Sequence, residues 1–231
     1  MTALLSASGQ TLPGRLSDAA LEIAPGELVC LVGPNGSGKT SLLHALAGIG
    51  GRPGRVTLAG EDPRRANAAR RPQLMTYLPA TRDIKWPLSA RDLIALGGGR
   101  ADFDELELAP LLDRRIDTLS TGERSRVMIA RALAPQPKLM LLDEPTANLD
   151  PLWQIRLMAL VRAEIAQGER AALVAIHDLD AAERHADRIL VMNNGRIAGE
   201  GLARVPEIFG VERIGGEWRE VRPKADPRSS P

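Results

Sequence analysis

A buried strand, a glycine-rich loop and a helix follow one another near the start of this chain. The apolar run Leu28–Val32 leads into residues 33–40, which read G-P-N-G-S-G-K-T, and a helix is predicted from Lys39 onward. Glycines at this spacing let several backbone N–H groups point at one phosphate chain, and the helix N-terminus adds the positive end of its dipole. In this pattern the lysine reaches the β- and γ-phosphates and the Thr40 hydroxyl is a Mg²⁺ ligand. The chain is therefore predicted to bind a nucleoside triphosphate.

The composition of the 231 residues narrows the class of protein further. A hydrophobic fraction of 44% supports a full globular core, and a net charge of +1 gives no strong electrostatic footprint for nucleic acid or an acidic membrane surface. The single cysteine, Cys30, lies inside the apolar strand and is expected to be a buried structural thiol. The first residues lack a basic segment and a long apolar core, so we expect no signal peptide, and no apolar stretch approaches the roughly 18 residues of a membrane span. We therefore expect a cytoplasmic protein whose role at a membrane would depend on a partner.

The order of predicted elements indicates an α/β fold. Strands and helices alternate from about residue 122 to residue 192, which predicts a parallel sheet with covering helices. Earlier helices are predicted at 89–96 and 104–113. Residues 193–195, Asn-Asn-Gly, are typical of a hairpin turn.

A second apolar strand ends in two acidic residues. Residues 138–142 precede Asp143 and Glu144, and in a doubly wound sheet the carboxyl ends of the strands face the ligand crevice. We expect Asp143 to hold Mg²⁺ and Glu144 to polarise the attacking water, a general-base role worth roughly 10²–10⁴-fold in rate.

Between these two segments, residues 119–123 read L-S-T-G-E and open a helix. Ser120 is expected to be its N-cap, and Glu123 would complete a capping box.

Together the segments resemble the ATP-binding cassette (ABC) family. Residues 33–40 resemble its Walker A motif, residues 139–144 its Walker B motif, and residues 119–123 its signature motif, usually L-S-G-G-Q or L-S-G-G-E. Residues 147–150 resemble its D-loop, and His177 resembles its switch histidine.

The resemblance covers roughly residues 15–200 and implies a particular architecture. The expected fold is a P-loop NTPase core with a parallel sheet, an antiparallel β subdomain and a small, shortened α-helical subdomain. Residues 1–222 would form one ABC ATPase domain, with the helical subdomain at about 81–135, and residues 223–231 would form a mobile tail.

The resemblance also implies cofactors and residue roles, with ATP and Mg²⁺ at one site. Catalysis would depend on Glu144 and His177, and the metal would be held by Thr40 and Asp143. The residues expected to bind ATP are Gly33, Pro34, Asn35, Gly36, Ser37, Gly38, Lys39, Thr40 and Ser41. The residues expected to reach the ATP of a partner subunit are Ser120, Thr121, Gly122 and Glu123, with Asp150 in the D-loop.

The partners that the resemblance implies are proteins and not nucleic acid. Two copies would pair head to tail with ATP between the Walker A motif of one and the signature motif of the other. Transmembrane permease subunits would dock on this pair at the inner face of the cell membrane, and a periplasmic binding protein would deliver the cargo to them.

The sequence departs from the family pattern at several positions. Ala80 stands where a glutamine is usual after the strand at 74–78, so a Mg²⁺ ligand or water-orienting group is missing. No aromatic residue that could stack on adenine occurs before Tyr77. Thr121 replaces a usual glycine, and the helical subdomain is short. His44 and His185 are expected to be structural or surface residues.

Two segments favour one branch of the family. Residues 84–97 and 205–211 resemble those of importers for iron chelates, haem and cobalamin, although Trp86 and Leu93 could simply pack the small subdomain. The alternatives are an export ATPase, a soluble cassette acting on nucleic acid or ribosomes, and a regulatory module with weak hydrolysis. The long insertion or basic arm expected of the soluble cassette is not seen.

Overall fold

The computed structural model describes residues 3–81, 87–99, 104–166 and 168–220. Within these ranges the strands are β1 (Leu5–Leu12), β2 (Leu16–Ile23), β3 (Leu28–Val32), β4 (Arg55–Leu58), β5 (Met75–Leu78), β6 (Leu139–Asp143), β7 (Ala171–Ala175), β8 (Arg188–Asn193), β9 (Arg196–Glu200), β10 (Val211–Ile214) and β11 (Glu217–Glu220). The helices are α1 (Lys39–Ala47), α2 (Arg71–Leu74), α3 (Ala90–Ala95), α4 (Thr121–Leu133), α5 (Pro151–Ile165), α6 (Leu179–His185) and α7 (Val205–Phe209).

A six-stranded sheet with the order β5-β6-β7-β3-β8-β9 forms the centre of the molecule. The first five strands are parallel, and β9 pairs antiparallel with β8 at the edge. Strands β3, β6 and β7 are buried along their whole length, as expected of parallel strands covered on both faces. The parallel sheet predicted from the alternation of strands and helices is confirmed.

Alternate residues of the central strands enter two different hydrophobic layers. In β3, Leu28 and Cys30 pack with the layer that contains α4 and α5, whereas Val29 and Leu31 pack with α1 and the second sheet. Cys30 is fully buried, and this burial raises the pKa of its thiol to about 12. The expectation of a buried thiol is confirmed.

The second sheet has three antiparallel strands in the order β2-β1-β4. Buried and exposed residues alternate over part of β2, where Ala19, Leu21 and Ile23 point inward. These side chains pack in the same layer as α1, so the sheet lies on the phosphate-loop side of the molecule. It is the antiparallel unit that the family resemblance implied.

The prediction of a helix at 104–113 is wrong. The described residues form two separate 3₁₀ turns instead, Asp104–Leu106 and Ala109–Leu111. Glu107 between them has a φ of 47°, a left-handed conformation that cannot continue a right-handed helix. Pro110 then lacks the N–H that a longer helix would need. The other predicted helices and strands are found with ends shifted by one or two residues.

Two features close the described part of the chain. The turn between β8 and β9 has positive φ angles at Asn194 and Gly195, 47° and 75°, so the predicted hairpin is confirmed. Beyond α7, the hairpin β10–β11 contacts α6, and Trp218 Nε1 donates a hydrogen bond of 3.2 Å to Asp180.

Residues 223–231, predicted to form a mobile tail, lie outside the described residues. Residues 84–86, in the segment that suggested an importer, also lie outside them. In the part of the chain that the structure describes, no helix is long and apolar enough to cross a bilayer.

Candidate nucleotide-binding site

The phosphate loop runs from the end of β3 to the first turn of α1 and is held by close backbone contacts. A Cβ atom on Gly33 would lie 2.5 Å from the carbonyl oxygen of Met192, so only glycine fits there. Gly38 has a φ of 106° and its position would bring a Cβ within 2.9 Å of the Arg15 carbonyl oxygen. These two glycines let the loop pack against the β8–β9 turn, where Gly195 N donates to Ser37 O at 2.8 Å.

Lys39 lies under this loop with its ammonium group turned back toward the backbone. Its side chain is buried, and Nζ donates to the carbonyl oxygens of Gly33 at 2.7 Å and Pro34 at 3.2 Å. Burial lowers the pKa of the Lys39 ammonium, while the nearby carboxylates of Glu144 and Asp143 oppose that shift. The lysine therefore stands between the loop and the two predicted acidic residues.

Asp143 ends β6 and is 1% exposed. Its Oδ2 accepts a hydrogen bond of 3.3 Å from the Tyr77 hydroxyl, and among the described residues its Oδ1 has no hydrogen-bond partner. A buried carboxylate oxygen without a donor costs free energy unless a cation or water completes it. Oxygen ligands of this type are those that Mg²⁺ prefers, so the residues present fit a hydrated magnesium ion.

Glu144, the next residue, points toward His177. Its Oε1 lies 2.5 Å from His177 Nε2, and its backbone has a φ of 47°, which costs about 1–2 kcal/mol for a residue other than glycine. The register of the sheet explains the contact, because Glu144 N donates to Ala175 O at the end of β7, two residues before His177. The predicted pair of catalytic residues is thus brought together.

A cavity of about 280 Å³ connects the phosphate loop with this pair. It is lined by seven of the nine predicted ATP-binding residues, 35–41, and by Glu144 and His177. The other two, Gly33 and Pro34, begin the loop and do not line the cavity; their carbonyl groups accept hydrogen bonds from Lys39 Nζ. Arg15, which the sequence analysis did not single out, lines the same cavity with Gly14. The only signal for Arg15 in the sequence is its position just before β2.

The signature segment lies elsewhere and does not line that cavity. Ser120 and Glu123 form the predicted capping box of α4, with Ser120 N donating to Glu123 Oε2 at 2.8 Å and Glu123 N donating to Ser120 Oγ at 3.3 Å. Thr121 is exposed, and Gly122 faces the carbonyl of Asn148 in the D-loop segment. These residues present a helix N-terminus outward, and their role toward a second subunit stays a prediction.

Asp150 has a local contact that the sequence analysis did not foresee. Its carboxylate accepts a hydrogen bond of 3.0 Å from Trp153 N and caps α5. Ala80 lies two residues beyond β5 and is half-buried. Its methyl group offers neither a donor nor a ligand atom.

His44, expected to be a structural or surface residue, contacts a side chain that is hydrogen-bonded to Asp143. In the structure, its Nε2 lies 2.9 Å from the Tyr77 hydroxyl, which in turn donates to Asp143. Burial and the Asp143 carboxylate raise the pKa of the Tyr77 phenol well above its usual value. Tyr77 was noted only as the first aromatic residue of the chain; its place at the carboxyl end of the strand beside β6 was the available signal.

A strand, a phosphate loop and a helix on a parallel sheet, with a lysine and two acidic residues beside one cavity, define a P-loop NTPase. The chain belongs to the ABC transporter family, because the model of that family, described as ABC transporter, matches residues 16–147. By class it is therefore a nucleotide-binding cassette of that family.

Curated relatives carry the names of import proteins. The cobalamin import ATP-binding protein BtuD of Halobacterium salinarum is 36% identical over 205 residues, covering 82% of this chain and 52% of the relative. The hemin import ATP-binding protein HmuV of Nocardia farcinica is 37% identical over 205 residues, covering 82% of this chain and 71% of the relative. The aliphatic sulfonates import ATP-binding protein SsuB of Granulibacter bethesdensis is 40% identical over 191 residues, covering 83% and 79%. The chain thus spans about half the length of the Halobacterium salinarum relative.

Solved structures share the fold. The structure titled ATP binding subunit of ABC transporter superposes with a TM-score of 0.73 at 28% identity, covering 90% of this chain and 93% of that one. The dimeric structure of the ATP-binding cassette MJ0796 bound to ADP and Pi has a TM-score of 0.71 at 23% identity, covering 85% and 97%. The predicted family and fold class are confirmed.

Proposed function

We propose that this chain is the ATP-hydrolysing subunit of a membrane importer. The observation that carries the proposal is the cavity in which the phosphate loop, Glu144 and His177 meet. Family membership supports ATP as the nucleotide, and the import names of the relatives support the direction of transport over the export alternative.

The geometry suggests how the residues divide the work of hydrolysis. Backbone N–H groups of the loop and the Lys39 ammonium would bind the β- and γ-phosphates, while Thr40 and Asp143 would hold Mg²⁺. When bound, Mg²⁺ neutralises charge that develops on the phosphate oxygens. Glu144 would accept the proton of the attacking water, and His177, 2.5 Å away, would fix the orientation of that carboxylate. Arg15 lines the same cavity, and its planar guanidinium could stack on the nucleotide base.

A second copy would complete the site. The capped N-terminus of α4, with Ser120, offers N–H donors and a positive dipole end to a γ-phosphate held by the partner's Walker A loop. A dimeric cassette among the structures with this fold supports such pairing. ATP would then hold two cassettes together and hydrolysis would release them, which is a two-state element that can move attached permease subunits.

The cargo is proposed to be an iron chelate, haem or cobalamin, captured outside by a binding protein. The resemblance of residues 205–211 and the cobalamin and hemin names of relatives support this class, whereas a sulfonate importer shows that similar chains serve other cargo. The chain would act on the cytoplasmic face of the membrane, bound to its permease.

Reconstitution in sealed vesicles with a candidate permease, sought among the neighbouring genes, tests the proposal directly. We expect MgATP-dependent uptake of one of the metal chelates and no uptake of an aliphatic sulfonate. Uptake of sulfonate alone would contradict the cargo class, and ATP-dependent efflux would contradict import.

A regulatory module with weak hydrolysis is the second candidate, and Ala80 is the observation that favours it. Replacing Ala80 by Gln would add an amide able to orient water beside Asp143. We expect turnover, or its stimulation by the permease, to rise about threefold or more, since one hydrogen bond is worth about 0.5–1.5 kcal/mol. Steady-state phosphate release measures the effect, with Ala80→Leu as the control for side-chain size. Equal rates in all three proteins would mean that other groups already supply this function.

A further inference from the structure

Side chains from three elements form a continuous hydrogen-bonded chain that ends on Asp143. His44 comes from α1, Tyr77 from β5 and Asp143 from β6. His44 Nε2 and the Tyr77 hydroxyl are 2.9 Å apart, and the hydroxyl and Asp143 Oδ2 are 3.3 Å apart. The His44 and Tyr77 rings also pack edge to face, with centroids 5.1 Å apart and an interplanar angle of 82°. The histidine is therefore fixed against the phenol by ring packing as well as by its nitrogen.

The chemistry of the three groups fixes the direction of the hydrogen bonds. An ionised carboxylate only accepts, so the single hydroxyl proton of Tyr77 is directed to Asp143. The hydroxyl oxygen must then accept from His44, which requires a proton on Nε2. The chain of donors runs from His44 to Tyr77 to Asp143, and it engages only one of the two carboxylate oxygens.

We propose that Tyr77 is a positioning residue for the metal ligand Asp143, and that His44 aims the Tyr77 hydroxyl. With Oδ2 held from behind by Tyr77, the plane of the carboxylate is fixed. The buried Oδ1, which has no partner among the described residues, is left as the carboxylate oxygen that would be available to the metal. This inference rests on the proposed role of Asp143 in holding Mg²⁺.

The position of Tyr77 gives the arrangement a further consequence. Tyr77 and Ala80 lie on the same strand and the turn that follows it, and Ala80 cannot contribute a ligand. In this chain, β5 and the turn after it therefore affect the metal site indirectly, through the hydrogen bond from Tyr77 to Asp143. They supply no side-chain ligand at Ala80. Hydrogen-bonded partners behind a metal ligand typically change metal affinity or activity by 10–100-fold when removed.

The metal contribution to nucleotide binding provides the test. The affinity for AMP-PNP is measured by calorimetry with Mg²⁺ and again with EDTA, and the ratio reports how much the metal adds. For Tyr77→Phe, which removes only the hydroxyl, we expect that ratio to fall about 10-fold while the affinity in EDTA stays unchanged. Thr76→Val is the matched control, because Thr76 Oγ1 is buried on the same strand without a hydrogen-bond partner in the described structure.

Variants of His44 distinguish its hydrogen bond to the Tyr77 hydroxyl from its packing against the Tyr77 ring. His44→Leu removes the donor and is expected to reproduce part of the Tyr77→Phe loss, whereas His44→Gln retains an N–H donor and is expected to rescue the ratio. A ratio for Tyr77→Phe that equals that of Thr76→Val would overturn the proposal. If the ratio of AMP-PNP affinities with Mg²⁺ and with EDTA is the same for His44→Leu and His44→Gln, the role of His44 would be overturned.

A metal-free readout distinguishes this inference from the proposed function. Nitrogen-15 shifts of the imidazoles in the nucleotide-free protein should show His44 protonated at Nε2, and Tyr77→Phe should shift that resonance. The chain has one tyrosine and three histidines, so assignment is direct. If this signature is present but Mg²⁺ adds nothing to nucleotide affinity in the wild type, the magnesium role of Asp143 fails while the hydrogen-bonded chain stands. A neutral His44 protonated only at Nδ1 would contradict the chain itself.

Discussion

Replacing Glu144 by Gln is expected to lower ATP turnover by about 10²–10⁴-fold, the usual contribution of a general base. The amide has nearly the same shape as the carboxylate but cannot accept the proton of the attacking water. Hydrogen bonding to His177, 2.5 Å away, can persist in the variant, so the loss should appear in the rate and not in nucleotide affinity. Phosphate release under saturating MgATP measures the rate.

The same variant is expected to accumulate as an ATP-bound dimer, because the nucleotide that joins two copies is no longer cleaved. Light scattering on a size-exclusion column with MgATP detects the change in mass. Glu105→Gln, at an exposed glutamate that does not line the nucleotide cavity, is the control and should behave as the wild type. Undiminished turnover would reject Glu144 as the base, whereas a slow variant that stays monomeric would reject the head-to-tail dimer.

Replacing Lys39 by Met is expected to weaken ATP binding roughly 100-fold, since hydrogen bonds to charged groups are worth about 1.5–3 kcal/mol. The buried ammonium is already close to the loop, 2.7 Å from the Gly33 carbonyl oxygen, so its charge acts on the β- and γ-phosphates at short range. Methionine fills much of the same volume without that charge. Calorimetry with ATP, in the presence of EDTA, separates this effect from that of the metal.

Lys138→Met is the matched control for Lys39→Met. Lys138 immediately precedes β6 and is half-buried, but it does not line the nucleotide cavity. We expect it to bind ATP as the wild type does. Equal affinities of the two variants would show that the Lys39 ammonium is not a phosphate ligand.

Local patterns were sufficient to predict much of the fold and site. The glycine loop, the acidic strand end and the capping box each follow from short-range rules, and the structure shows the loop, Asp143 at the end of β6 and the Ser120 cap. The buried runs of β3 and β6 likewise identified central strands. These predictions succeeded because each depends on neighbours in sequence or on the common edge of one sheet.

Other features depend on contacts between distant segments and were missed. The helix predicted at 104–113 was interrupted by the left-handed backbone of Glu107, which no periodicity of apolar residues reveals. The His44–Tyr77 contact joins residues 33 positions apart, and it forms only because α1 packs against the sheet beside β5 and β6. Arg15 reaches the nucleotide cavity through the packing of the β1–β2 turn on the phosphate loop.

The sealed environment of Cys30 has a practical consequence. It is the only sulfhydryl of the chain, it is fully buried, and its high pKa leaves almost no thiolate at neutral pH. Maleimide or nitroxide reagents should therefore leave the unaltered polypeptide unmodified. Cysteines introduced at chosen surface positions would carry spin labels or fluorophores without background, so the opening and closing of a cassette pair could be followed by interlabel distances.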